Sequence, residues 1–143
     1  MSAPLYNAEI LRLAATIPHH ERLPEPMATV EKRSPICGSR VTIDVAVDAA
    51  GRVREGGLRV RACARGQASA SRLAATILGR TPAELAATRD ALTAWLAREG
   101  DAPDWPGMDI FTPALDYTAR HPSIRLAFEA AAEAADTAAK VKV

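Results

Sequence analysis

Arg61-Ala62-Cys63-Ala64-Arg65-Gly66-Gln67-Ala68-Ser69-Ala70-Ser71 is the stretch from which this fold is read. It follows a strand-like run, residues 58–62, and leads directly into a helical pattern. Cys63 is therefore predicted where a strand ends and a helix begins. A helix N-terminus carries a partial positive charge and unpaired N–H groups, which favour a thiolate for metal ligation or nucleophilic attack. The small residues at 64, 66 and 68–71 are expected to leave room around the sulfur.

Upstream, Val41, Ile43, Val45 and Val47 alternate with Thr42, Asp44 and Asp48, the pattern of a half-buried strand. Residues 49–51 read as a short turn, and the chain returns through Arg52-Val53-Arg54 to Leu58-Arg59-Val60-Arg61. Hydrophobic parity switches from odd to even between Val53 and Leu58, so a bulge is expected at Gly56-Gly57. With Asp48 facing Arg52, position 37 falls opposite position 63, give or take one residue. Cys37 and Cys63, 26 positions apart, are thus expected side by side at the open end of the hairpin. Adjacent thiols there suit a disulfide, a shared metal or the passing of sulfur between them. The plainer alternative is a pair of unrelated cysteines acting as small apolar residues.

The rest reads as helix and connection. Leu5, Ile10, Leu13, Ala14 and Ile17 fall on one helical face, which Pro18 ends. The polar, proline-punctuated segment from His19 to Pro35 is read as an extended surface connection, with His19 and His20 solvated at a helix end or, alternatively, ligands. Residues 67–78 form a helix ended by Gly79. Thr81, Pro82 and Glu84 spell a capping box for the next helix, whose buried face is Leu85, Thr88, Leu92, Trp95 and Leu96. Residues 100–106 are a loop holding Trp105, and residues 110–117 a shorter helical or mixed segment. His121-Pro122 opens an alanine-rich helix over residues 123–140, whose last turns are expected to fray.

Composition bounds the function. The 143 residues are 48% hydrophobic with a formal net charge of +1, enough apolar material for one domain spanning residues 1–143. The basic residues are scattered, which argues against a nucleic-acid partner. No apolar run approaches a membrane span, and the first residues lack the basic start and apolar core of a signal peptide, so a cytoplasmic location is expected. Thiols are kept reduced in that compartment, so two cysteines are read as free or metal-bound.

The chain resembles the U-type iron–sulfur cluster assembly scaffolds, the IscU and SufU proteins and the NifU N-terminal domain. The resemblance is carried by Pro35-Ile36-Cys37-Gly38-Ser39-Arg40, Cys63-Ala64-Arg65-Gly66-Gln67-Ala68-Ser69-Ala70-Ser71 and Ala119-Arg120-His121-Pro122-Ser123-Ile124-Arg125-Leu126, and spans residues 5–135. It implies an α+β fold, a small antiparallel, hairpin-based sheet packed against several helices. It also implies a site of three cysteines and an aspartate that receives sulfur from a cysteine desulfurase, binds iron or zinc, and builds a [2Fe–2S] cluster for recipient proteins. Cys37 and Cys63 match the first two cysteines. Ser39 stands in the place of the aspartate and Ser123 in that of the third cysteine.

A serine hydroxyl is a poor iron or zinc ligand and cannot carry a persulfide. His121 is the nearest substitute ligand by sequence, or else simply the residue before a helix-initiating proline. A homodimer pooling Cys37 and Cys63 from two chains would supply four thiolates to one cluster. Arg40 reads either as a strand-end arginine in solvent or as a group holding an anionic cluster. The expected role is a non-enzymatic scaffold of cluster assembly. The alternatives are an adaptor that docks a desulfurase or client without binding a cluster, and a thiol redox centre.

Overall fold

The computed structural model describes residues 8–34 and 38–141. Helix α1 (Ala8–Ala15) is followed by strands β1 (Ala28–Arg33), β2 (Arg40–Val47) and β3 (Val53–Arg61). Helices α2 (Ala64–Ala75) and α3 (Pro82–Leu96), two 3₁₀ segments (Met108–Asp116 and Thr118–Arg120) and helix α4 (His121–Val141) complete the chain. The strands form one antiparallel sheet in the order β1-β2-β3. Helix α4 packs on β1 and β2, with α2 and α3 against it and α1 against α2.

The inner face of the sheet carries Val41, Ile43, Val45, Val47, Leu58 and Val60, all buried. β2 is buried on its outer face as well, which corrects the half-buried expectation. Asp44 is fully enclosed there, accepting hydrogen bonds from Arg22 Nε at 2.6 Å, Leu23 N at 3.0 Å and Thr29 Oγ1 at 2.6 Å. These bonds strap residues 19–23 across the sheet. The strap also covers the free edge of β3, where Leu58 N–H donates to the His19 carbonyl at 3.0 Å and Val60 N–H to His20 Nε2 at 3.4 Å. An edge strand's unpaired amides are thereby satisfied within the chain.

Three further expectations are corrected. The segment read as a surface connection contains β1, an edge strand whose burial alternates only shallowly from Thr29 onward and puts Lys32 on its more buried side, so hydrophobicity does not betray it. The bulge lies at Arg54, because Val47 faces Val53 while Ala46 faces Glu55. Gly57 serves another purpose: a Cβ there would sit 2.3 Å from the Glu21 carbonyl oxygen, so glycine lets the strap lie flat on the sheet. The alanines of α4, expected to form a loosely packed end, are core: Ala130, Ala131, Ala134, Ala135 and Ala138 are fully buried, and the helix runs to Val141. Alanine combines high helix propensity with close approach to neighbouring elements.

Helix α3 follows its sequence signals closely. Thr81 Oγ1 accepts from Glu84 N, and the Glu84 carboxylate accepts from Thr81 N, each at 3.1 Å. Its buried residues are Leu85, Thr88, Leu92, Trp95 and Leu96, the face read from the periodicity. Trp105 is core too, donating from Nε1 to the Arg72 carbonyl at 2.8 Å and meeting Phe128 edge-on at 5.4 Å.

Candidate functional site

The site is assembled where β3 turns into α2. Cys63 is the N-cap residue of α2, in extended backbone conformation with φ −65° and ψ 170°, and its side chain makes no capping hydrogen bond. The half-buried thiol is free and directed elsewhere. It donates to Ser123 Oγ at 3.5 Å, and Ser123 in turn donates to the Arg120 carbonyl at 2.8 Å. Cys63 therefore meets the first turn of α4.

That meeting depends on small residues. A Cβ on Gly66 would lie 2.7 Å from Ala62 Cβ and 3.2 Å from the Ser123 carbonyl oxygen, so glycine permits the tight β3–α2 turn and eases the approach of α4. Ser69 Oγ fixes the same turn by donating to the Ile124 carbonyl at 2.6 Å, and Ser71 Oγ donates to the Thr16 carbonyl at 3.2 Å. The small-residue run was expected to leave space around the sulfur. Instead Gly66, Ala68, Ser69, Ala70 and Ser71 are buried and are spent on helix packing.

On the β1–β2 side, Ser34 N–H donates to the Ser39 carbonyl at 2.9 Å and Gly38 N–H to the Ser34 carbonyl at 3.1 Å. Gly38 takes the left-handed conformation, φ +71°, that its lack of a Cβ permits. Ser39, at the aspartate position, is buried. Arg40 faces Arg61 across the ladder, so extending the register sets position 38 opposite position 63, within the one-residue allowance of the sequence reading. Cys37 itself lies outside the described residues, as do Pro35 and Ile36.

His121 is buried, with Nε2 2.8 Å from the Ala114 carbonyl oxygen. A carbonyl only accepts, so Nε2 donates in this bond and Nδ1 takes no part in it. The ring lines a pocket with Thr93, Leu96 and Ala97 of the α3 end, and among the described residues no hydrogen bond joins it to Cys63. Arg65 was not singled out by sequence. It is fully buried in the first turn of α2, two residues beyond Cys63, and is held by an interaction within the fold. Its one signal was a cation placed against the helix dipole.

The donor set sets limits on what can be carried. Among the described residues no three His, Cys, Asp or Glu side chains gather as for a metal ion. One thiol, Cys63, stands beside a neutral hydroxyl, whereas zinc takes four ligands and a [2Fe–2S] cluster four thiolates. Adding Cys37 raises the chain's own thiolates to two. Among the described residues no helix is long and apolar enough to cross a membrane.

The model of the NifU-like N terminal domain matches residues 5–101, more than half of the chain. The crystal structure of a nitrogen-fixing NifU-like protein (N-terminal) from Brucella abortus is similar with a TM-score of 0.88 and 37% identity, over 96% of this chain and 96% of that chain. A protein described as an iron–sulfur cluster assembly scaffold for the SUF system, from thermophilic Fervidobacterium islandicum AW-1, shares the fold with a TM-score of 0.83 at 17% identity, over 92% of this chain and 96% of that one. Among curated proteins no sequence matches. The chain thus belongs to the NifU-like N-terminal domain family, the U-type scaffolds of iron–sulfur cluster assembly.

Proposed function

We propose that the protein carries iron, zinc or a nascent [2Fe–2S] cluster as cargo on Cys63 and Cys37, taking sulfur from a cysteine desulfurase and yielding the product to recipient proteins in the cytoplasm. It acts as a scaffold and not as a catalyst. The observation that carries this reading is the Cys63 thiol, uncommitted to capping and turned toward the first turn of α4, 3.5 Å from Ser123 Oγ. The match of the strand register, which brings the Gly38 end of the β1–β2 loop toward Cys63, supports Cys37 as its partner.

In the sulfur-accepting step the Cys63 thiolate attacks the terminal sulfur of the donor's persulfide. The donor's S–S bond breaks, Cys63 becomes the persulfide, and the donor leaves as a thiolate. Ser123 cannot take part as a sulfur carrier; its hydroxyl accepts from the Cys63 S–H in the resting thiol and so positions the sulfur before it is deprotonated. The ligands missing from one chain come from His121 Nδ1, from a partner, or from a second copy of this chain.

The test is iron, zinc and acid-labile sulfide content, with the visible spectrum, of protein purified without oxygen beside Cys37→Ala, Cys63→Ala and the double variant. Stoichiometric cargo that disappears in each variant is expected. A second reading is favoured by the serines at positions 39 and 123: an adaptor that docks a desulfurase or client and carries nothing. Wild-type protein without metal or sulfide, even after incubation with iron, sulfide and a desulfurase, would decide for the adaptor.

A further inference from the structure

The outer face of the sheet holds a second feature, independent of the cysteines. Arg22 of the strap, Glu31 of β1, Arg40 and Thr42 of β2, and Arg59 and Arg61 of β3 line one cleft of about 200 Å³. Arg40 stands directly across from Arg61, and Thr42 across from Arg59. Like charges directly opposite destabilise a sheet, so this arrangement is unfavourable for folding alone. Nor does it reflect a generally basic surface, because the chain's net charge is only +1.

The negative charge within reach is already committed. Arg22 holds Asp44, and Glu31 accepts from Arg33 Nε at 3.2 Å and Thr42 Oγ1 at 3.4 Å. Among the described residues Arg40, Arg59 and Arg61 have no carboxylate partner, and Arg59 and Arg61 are exposed. Guanidinium forks match carboxylate and phosphate oxygens bidentately, and such charge-assisted bonds are the strong ones. The cleft is of a size to take a small molecule.

We propose that this cleft binds a compact oxyanion carrying two or more negative charges, a polycarboxylate or a diphosphate. Its ligand relieves the repulsion between Arg40 and Arg61 and spans the hairpin. The experiment is calorimetric titration of the full chain at low ionic strength with citrate in one arm and inorganic pyrophosphate in the other. It is repeated for Arg59→Gln/Arg61→Gln and for Arg12→Gln/Arg52→Gln, which loses the same charge away from the cleft. Circular dichroism melts verify that both variants are folded.

Saturable binding to one site is expected, weakened about tenfold or more by the cleft substitutions and little by the control. The arm that saturates more tightly identifies the oxyanion as carboxylate or phosphate. Equal weakening in both variants would mean diffuse charge attraction and overturn the proposal. So would the absence of saturation by either anion. None of these outcomes bears on the cysteine site, whose substitutions are separate.

Discussion

Replacing Asp44 by alanine tests the strap that closes the outer face of the sheet. Three donors converge on this enclosed carboxylate, and each loses something different. The Arg22 guanidinium is 43% exposed, so water takes over much of what the carboxylate supplied, and the ion pair adds little. The Leu23 amide has no such recourse while the strap stays in place, and its charge-assisted bond is worth about 1.5–3 kcal/mol. The exposed Thr29 hydroxyl is likewise rehydrated, so its loss adds less than that range. Together these predict that Asp44→Ala lowers the unfolding free energy by roughly 2–4 kcal/mol. In a domain of this size that corresponds to a Tm lower by roughly 6–13 °C.

The pH dependence gives an independent check. Burial pushes the Asp44 carboxyl upward, but hydrogen bonds from Arg22, Thr29 and Leu23, with the charge of Arg22, outweigh it and hold the group below its ordinary value. A carboxylate with a depressed pKa contributes stability that is fully present above the unfolded-state value, about 3.9, and is lost as pH falls through the folded-state value. The gap between wild type and Asp44→Ala, measured by urea unfolding, is therefore constant from neutral pH down to about 5 and narrows below about 4. A gap under about 1 kcal/mol at pH 7 would refute the strap argument. A gap that widens in acid would refute the assigned direction of the shift.

Gly57→Ala attacks the same strap from beneath, because its Cβ would lie 2.3 Å from the Glu21 carbonyl oxygen. It is expected to cost about 1–3 kcal/mol, and less when combined with Asp44→Ala, since both lift one segment; urea melts of the single and double variants measure this. Gly66→Ala is expected to move the start of α4 away from Cys63, lowering stability by about 1–3 kcal/mol in thermal melts and reducing cargo retained on purification. Ser123→Cys puts a thiol where a neutral hydroxyl now meets Cys63 and should tighten zinc binding about tenfold or more in a chelator competition; unchanged affinity would place the metal elsewhere.

What the sequence disclosed follows from how local each signal was. The capping box of α3 and its five buried residues are complete within one helix, and both appeared as read. The β2–β3 hairpin was legible because strict alternation and a short turn fix pairing, and the register was right to one residue. β1 was hidden because its alternating burial is shallow and includes Lys32 on the more buried side, and because the prolines at 24, 26 and 35 suggested loop. Gly57 was misread because a strand glycine signals either a bulge or a close approach, and only the distant Glu21 decides between them. The α4 alanines look like a solvated, fraying tail unless the helices against which they pack are known.

For the site, Cys63 at a strand-to-helix junction was visible locally, and the structure puts it there. Its contact with Ser123, sixty positions away, came to notice only through family resemblance, because nothing in spacing reports which helix turn packs on α2. Gly66 and Ser69 create that contact, and as sequence they read merely as small residues. Arg65 shows the same limit from the other side, as one fully buried cation in a run that looks like an ordinary helix start.

The fold holds position 123 beside Cys63, and serine decides the chemistry that the thiol meets there. Pairing of β2 with β3, extended two residues past Arg40 and Arg61, sets position 38 opposite Cys63, and the Ser69 hydrogen bond helps hold position 123 near the same thiol. Serine preserves the position and supplies a hydrogen bond, but it contributes no charge and binds iron or zinc poorly. A cargo held by two thiolates of one chain keeps positions open, and open positions are what permit ligand exchange. Two sources could fill them, and stoichiometry separates these sources. If two copies of the chain pool Cys37 and Cys63, cargo accumulates at one cluster per two chains, and the loaded protein sediments as a dimer. If the remaining ligands come from a donor or recipient, the isolated chain loads weakly, and stable cargo is recovered only from the mixed complex.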